Sequence, residues 1–168
     1  MNPVLEAIRQ RRSVREYSTC PVEREVLLEI LRAGAWAPSG LNNQPWRFAI
    51  VSRDDLKARF ASLTHYRTTV EGAAALLPVF LDRNEMYHEM KDFQAAGACL
   101  QNMLLAAHSL GLGAVWLGEI VKNARQVREL LGLPENMELM AVLALGYPAH
   151  REQQSDRQPL EQLIVFDQ

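Results

Sequence analysis

A chain of 168 residues has room for one domain, and a hydrophobic fraction of 48% provides enough apolar side chain for a sizeable core. Lys and Arg number 18 against 20 Asp and Glu, a formal net charge of -2, which argues against a nucleic-acid or membrane-surface role carried by overall charge. Cys20 and Cys99 stand far apart and make neither a metal-ligand spacing nor a disulfide framework. Met1 to Arg12 has no long apolar stretch of the signal-peptide kind, and no run of about 18 apolar residues suits a membrane span, so a reducing cytoplasm is the expected compartment.

In chain order, Val4, Leu5 and Ile8 recur at helical spacing over Pro3 to Arg12, and a second helix is expected over Glu23 to Ala35, with Leu27, Ile30 and Leu31 on one face. Pro38, Ser39 and Gly40 break it into a loop. Trp46 to Val51 reads as a strand, and Ser52 with Asp55 as a capping box for a short helix. Thr64 to Gly72 is polar and irregular and reads as a surface loop. Leu76 to Leu81 reads as a buried strand. Glu89 to Leu110 is the longest expected helix: Phe93, Ala96, Leu100, Met103, Ala107 and Leu110 hold the 3.6-residue period, and Ala95, Ala98, Leu104, Leu105 and Ala106 widen the apolar surface nearly all round. Such a helix must be buried, and a subunit interface is one place to bury it. Ala114 to Leu117 follows as a strand, Asn123 with Gln126 as a helix start, and Met137 to Leu145 as another strand. After the polar tail 149–158, Leu163-Ile164-Val165-Phe166 must dock, by adding a strand to its own sheet or to a partner's. The whole reads as one domain over 1–168, of α+β class.

Three stretches can carry chemistry. Arg11, Arg12, Ser13 and Arg15 place three guanidiniums and a hydroxyl within five residues, and guanidinium forks match phosphate oxygens. The same run equally serves to complement the negative end of the first helix. Ala37 to Trp46 holds two prolines that fix the backbone, with Ser39, Asn42 and Gln44 offering directed hydrogen bonds to the rim of a heterocycle; by composition alone it is also a plain loop before a strand. Gly118, at the end of a strand, lets backbone N–H groups approach a flat ligand closely, or simply turns the chain. Arg157 is one more phosphate partner or a solvated arginine. No G-x-G-x-x-G follows a strand, and His65, His88, His108 and His150 form no metal spacing.

Together and in this order, Ile8 to Tyr17, Ala37 to Phe48, Gln101-Asn102 through Gly118, and Leu145-Gly146-Tyr147-Pro148 with Arg157 ahead of Pro159-Leu160, resemble the nitroreductase family of flavin enzymes. The resemblance implies a mainly antiparallel sheet flanked by helices, with a C-terminal extension exchanged between the subunits of a homodimer and FMN at the interface. It implies that Arg11, Arg12, Ser13, Arg15 and Arg157 hold the phosphate and ribityl end. Pro38, Ser39 and Asn42 of the other subunit, with Leu117, Gly118 and Glu119, would line the ring. Thr64 to Gly72 and Asn84 to Lys91 match no pattern of the family. The implied reaction takes a hydride from NADH or NADPH to the flavin and passes electrons to an electron-poor small molecule, a nitroaromatic or a quinone, in ping-pong order, with no side-chain acid or base required. Nucleic acid and membranes are not expected partners. Reductive dehalogenation, oxygen-dependent flavin cleavage, and FMN binding without turnover are the alternatives within the resemblance. A nucleic-acid patch made by the basic run is the alternative outside it.

Overall fold

The computed structural model describes residues 2–168. Four strands form one sheet in the order β1-β2-β4-β3: β1 Trp46–Phe48, β2 Ala75–Asp82, β3 Gly113–Leu117 and β4 Met137–Gly146. Every neighbouring pair is antiparallel. The two central strands, β2 and β4, are near-continuous apolar runs because helices cover both faces. α2 (Arg24–Ala35) and α5 (Glu89–Ser109) pack on Leu77, Val79 and Leu81 of β2 and on Ala141, Leu143 and Leu145 of β4. α3 (Asp54–Ala61), α4 (Arg67–Gly72) and α6 (Ala124–Leu130) pack on Leu76 and Phe80, Val142 and Ala144. A bulge opposite Val79/Phe80 adds one residue to β4, so Ala141 and Leu139 face opposite layers although they lie two positions apart.

α1 (Pro3–Gln10) opens on Asn2, whose Oδ1 accepts from the N–H of Val4 at 2.9 Å. None of its residues is buried, and Val4, Leu5 and Ile8 are exposed. From the end of α1 the chain runs along the open edge of β3. Ser13 bridges Ala114 in parallel, and Val14 N–H donates to the Ala114 carbonyl at 3.1 Å. Tyr17 Oη donates back to the carbonyls of Val14 and Ala144. This attachment needs Gly113, where a Cβ would stand 2.6 Å from Val14 Cβ. Gly113→Ala is therefore expected to lower stability by about 1–3 kcal/mol by overpacking. Urea unfolding of parent and variant checks it, and equal midpoints would mean the segment is not clamped to β3.

Several sequence expectations differ from the structure. The helix after β1 starts at Asp54 behind Arg53, with no side-chain cap bond, so Ser52 and Asp55 form no capping box; Asp55 pairs with Arg53 instead. Asn123 precedes α6 but directs its amide to the Leu63 carbonyl at 2.7 Å rather than capping the helix. Within the expected loop 64–72 lies α4, whose Thr69 and Val70 are buried. A 3-10 turn, Leu160–Gln162, precedes the C-terminal run, and the run itself adds no strand to its own sheet. Leu163, Ile164, Val165 and Phe166 remain exposed, Val165 at 99%.

Candidate functional site

The basic run sits where α1 ends. Arg11 is the C-cap, its N–H donating to the Ala7 carbonyl at 2.9 Å. Its half-buried guanidinium is held below the usual arginine range, first by burial, then by the positive charges of Arg157 and Arg12. The tail thus returns Arg157 to Arg11, 146 positions earlier in the chain, as only the fold can do. Among the described residues, none of Arg11, Arg12, Arg15 or Arg157 pairs with a carboxylate. Like charges gathered without a counter-charge raise the free energy of the protein alone and lower that of any complex with an anion. Arg15 extends from the same segment over the Tyr66 ring, 6.0 Å from its centre. Ser13 lies half-buried between Arg11 and Arg15.

Arg12 takes a different direction. Its Nη1 donates to the carbonyls of Arg9 and Arg11 at 2.6 and 2.9 Å, so part of this guanidinium serves the negative end of α1. Its Nε is buried with no partner.

At the far end of β3, buried Leu117 leads into exposed Gly118, whose backbone is open to a ligand. Glu119 is tied down. Oε2 accepts from Thr64 Oγ1 at 2.7 Å and from His65 N–H at 3.3 Å, and the carboxylate pairs with Lys122 and with His65. These donors, Lys122 foremost and Thr64 next, hold the carboxyl down at about 2. Glu119 thereby pins Thr64-His65-Tyr66 between the end of β3 and Arg15. The segment is not legible in the sequence, because a hydroxyl and a backbone amide leave no pattern. The ion pair carries a pH signature. A carboxyl held low when folded adds stability above its unfolded value of 4.5, and that contribution is lost as pH falls toward about 2. The stability difference between parent and Glu119→Gln is thus expected to be full above pH 4.5 and to fade toward pH 2 in chemical unfolding. A difference independent of pH would remove the charge from the account.

The loop Pro38 to Gln44 is held rigidly. Leu41, Asn42 and Gln44 have φ of 55°, 55° and 48°, a left-handed backbone unusual for such side chains and of the kind found at functional sites. Ser39 Oγ accepts from the Gln44 N–H at 3.1 Å, and the Gln44 amide donates to the Asn42 carbonyl at 3.1 Å. Asn43 anchors the loop by donating to the Glu85 carbonyl and to Asp92 Oδ1. Tyr87 covers Gly40 so closely that a Cβ there would lie 1.9 Å from its Oη. Pro38, Leu41 and Asn42 are exposed.

These two halves lie apart in one chain. The loop is anchored at Asp92, near the start of α5, whereas Arg12 lines a cavity with Leu104 and His108 near its end. Sixteen residues of helix separate Asp92 from His108, about 24 Å at 1.5 Å per residue. Along the outer side of α5 and α2 runs an apolar groove lined by Val4, Ala7, Trp36, Leu105 and Ala106, with Trp36 87% exposed.

A family model described as the nitroreductase family matches residues 8–84 and 68–147. A protein of Archaeoglobus fulgidus with the provisional name NADH dehydrogenase/NAD(P)H nitroreductase is 38% identical over 151 residues, covering 88% of this chain and 87% of its own. The NADPH-flavin oxidoreductase of Vibrio harveyi is 31% identical over 180 residues, covering 100% of this chain and 75% of its own. A crystal structure from Desulfovibrio desulfuricans, provisionally described as a nitroreductase and solved in complex with FMN, superposes with a TM-score of 0.95 at 50% identity, covering 100% of this chain and 98% of that one.

Proposed function

This chain belongs to the nitroreductase family, and on that footing we propose that it is an FMN-dependent oxidoreductase, a single domain over 1–168 that works as a homodimer. The observation that carries the reading is the approach of Arg157 to Arg11, beside Arg12 and on the same segment as Arg15, with no carboxylate paired to any of the four among the described residues. These residues fit FMN: Arg11 and Arg157 would hold its phosphate, Ser13 and Arg15 the phosphate and ribityl end, and Leu117 and Gly118 the ring edge. Arg12 lies beside this clasp with its guanidinium on the α1 carbonyls, so we assign it at most a share of the phosphate's field. Glu119 acts as a positioning residue, fixing Thr64-His65-Tyr66 next to Arg15.

The homodimer supplies the missing half. A two-fold axis near the middle of α5 brings the N-terminal end of one α5 to the C-terminal end of the other. Pro38, Ser39 and Asn42 of one protomer would then face the arginine clasp of its partner. The exposed Trp36 groove, and the C-terminal run 163–166 reaching onto the partner, fit that arrangement.

FMN, when bound, would supply the redox chemistry between NADH or NADPH and an electron-poor small molecule, the two using one face in turn, which is ping-pong order. The chain's own residues bind, orient and exclude water. The rigid left-handed loop fixes one wall, and the backbone after Leu117 presents N–H groups whose dipoles favour negative charge on the ring. No helix among the described residues is long and apolar enough to cross a membrane, and we place the enzyme in the cytoplasm, where Cys20 and Cys99 stay as free thiols. Steady-state oxidation of NADH and NADPH against a nitroaromatic and a quinone tests the activity. Turnover with at least one pair is expected; an FMN-loaded protein inert with all of them would leave a binding protein without turnover.

A further inference from the structure

Beside the arginine clasp, on the α5 side of the segment Arg11–Tyr17, lies a cavity of about 320 Å³. Arg12 and Val14 line it, whereas Arg11, Ser13 and Arg15 do not, as an extended segment with alternating side chains requires. Its floor is apolar: Val14, Leu104, Leu112, Ala114 and Pro148. Its polar groups are Gln10, Arg12, His108, Arg151 and Gln153, and no carboxylate is among the lining residues.

Three features point to one kind of occupant. Arg12 spends its Nη1 on the carbonyls of Arg9 and Arg11 and pairs with no carboxylate among the described residues, so its charge is left for an anion in the cavity it lines. Among the described residues Arg151 makes one side-chain bond, Nη2 donating to the Gly111 carbonyl at 2.7 Å, which leaves its other N–H groups for a ligand. Burial first, and then the charges of Arg151, Arg11 and Arg12, hold the His108 imidazole below its usual range, and those guanidiniums give the cavity an uncompensated positive field.

We propose that this cavity is a second binding site, separate from the flavin clasp, for a small organic carboxylate: the charged group sits between Arg12, Arg151 and His108, and the apolar body lies on Val14, Leu104 and Leu112. An apolar floor beneath a cationic rim selects an organic acid over inorganic anions, which gain nothing from the floor. An occupant ties Arg151 to the end of α5 and so steadies the tail that delivers Arg157.

The test uses the FMN-loaded protein, with hexanoate as probe and hexanamide as its neutral counterpart. The His108 ring resonances, identified by their loss in His108→Gln, are followed by NMR while flavin absorbance is recorded in the same titration. A saturable His108 shift with hexanoate is expected, at least tenfold weaker in Arg151→Gln, absent with hexanamide, and without change in the flavin bands. Arg151 is exposed, so its replacement leaves the fold intact. No saturable His108 shift, an equal response to hexanamide, or an unchanged affinity in Arg151→Gln would overturn the proposal. So would a hexanoate effect seen only in the flavin bands, which would place the probe in the flavin site.

Discussion

Arg11→Ala is expected to lower FMN affinity roughly 10- to 100-fold while leaving the apoprotein as stable as the parent, or more so. A hydrogen bond to a charged group contributes about 1.5–3 kcal/mol net, and each 1.4 kcal/mol is about a factor of ten in affinity. The guanidinium of Arg11 has no hydrogen-bond partner among the described residues, and its nearest charges, Arg157 and Arg12, repel it. Removing it takes away an interaction with the ligand and a repulsion within the protein. Flavin release by equilibrium dialysis and thermal unfolding of the apoprotein read the two effects separately. A variant that loses stability and keeps FMN would show that Arg11 supports the fold rather than the phosphate.

Trp36→Glu is the second large effect. Trp36 is the C-cap of α2 and is almost fully exposed in the single chain, so its replacement costs the monomer little. At a two-fold interface it is lost twice. A central interface tryptophan contributes at least about 2 kcal/mol, so two copies weaken the dimer by roughly a thousandfold. Light scattering should then find monomers at micromolar concentration, with unchanged circular dichroism, and FMN should leave with the dimer. A variant that stays dimeric and yellow would move the interface away from the Trp36 groove.

How much of this is legible in the sequence depends on whether one element carries the signal. β2, β4 and α5 are legible because burial on two sides writes itself as continuous apolar residues, or as a period with few polar interruptions. The arginine run is legible because guanidiniums so close together are costly without a purpose. Arg157 becomes part of it only through the tail's return path, which no local pattern encodes. α4 escapes because a six-residue helix with two buried residues shows no periodicity. Ser52 misleads because Ser-x-x-Asp resembles a cap while the first turn begins two residues later. Thr64, His65 and Lys122 escape because their alignment depends on Glu119, more than fifty positions from the first two. The apolar C-terminal run is legible as something that must dock, yet in one chain it finds no strand to join.

The resemblance read from four short motifs agrees with the family match over most of the chain. Family membership establishes the scaffold; the segment Thr64-His65-Tyr66, which Glu119 holds beside Arg15, lies outside the four motifs.

The most direct measurement is gel filtration of the FMN-saturated protein with light scattering and flavin absorbance read across one peak, followed by anaerobic addition of NADH and of NADPH. A particle of two chains carrying two FMN is expected, its flavin absorbance bleaching with at least one of the two donors. A flavin-loaded single chain, a protein that refuses FMN, or a yellow dimer that neither donor bleaches would contradict it.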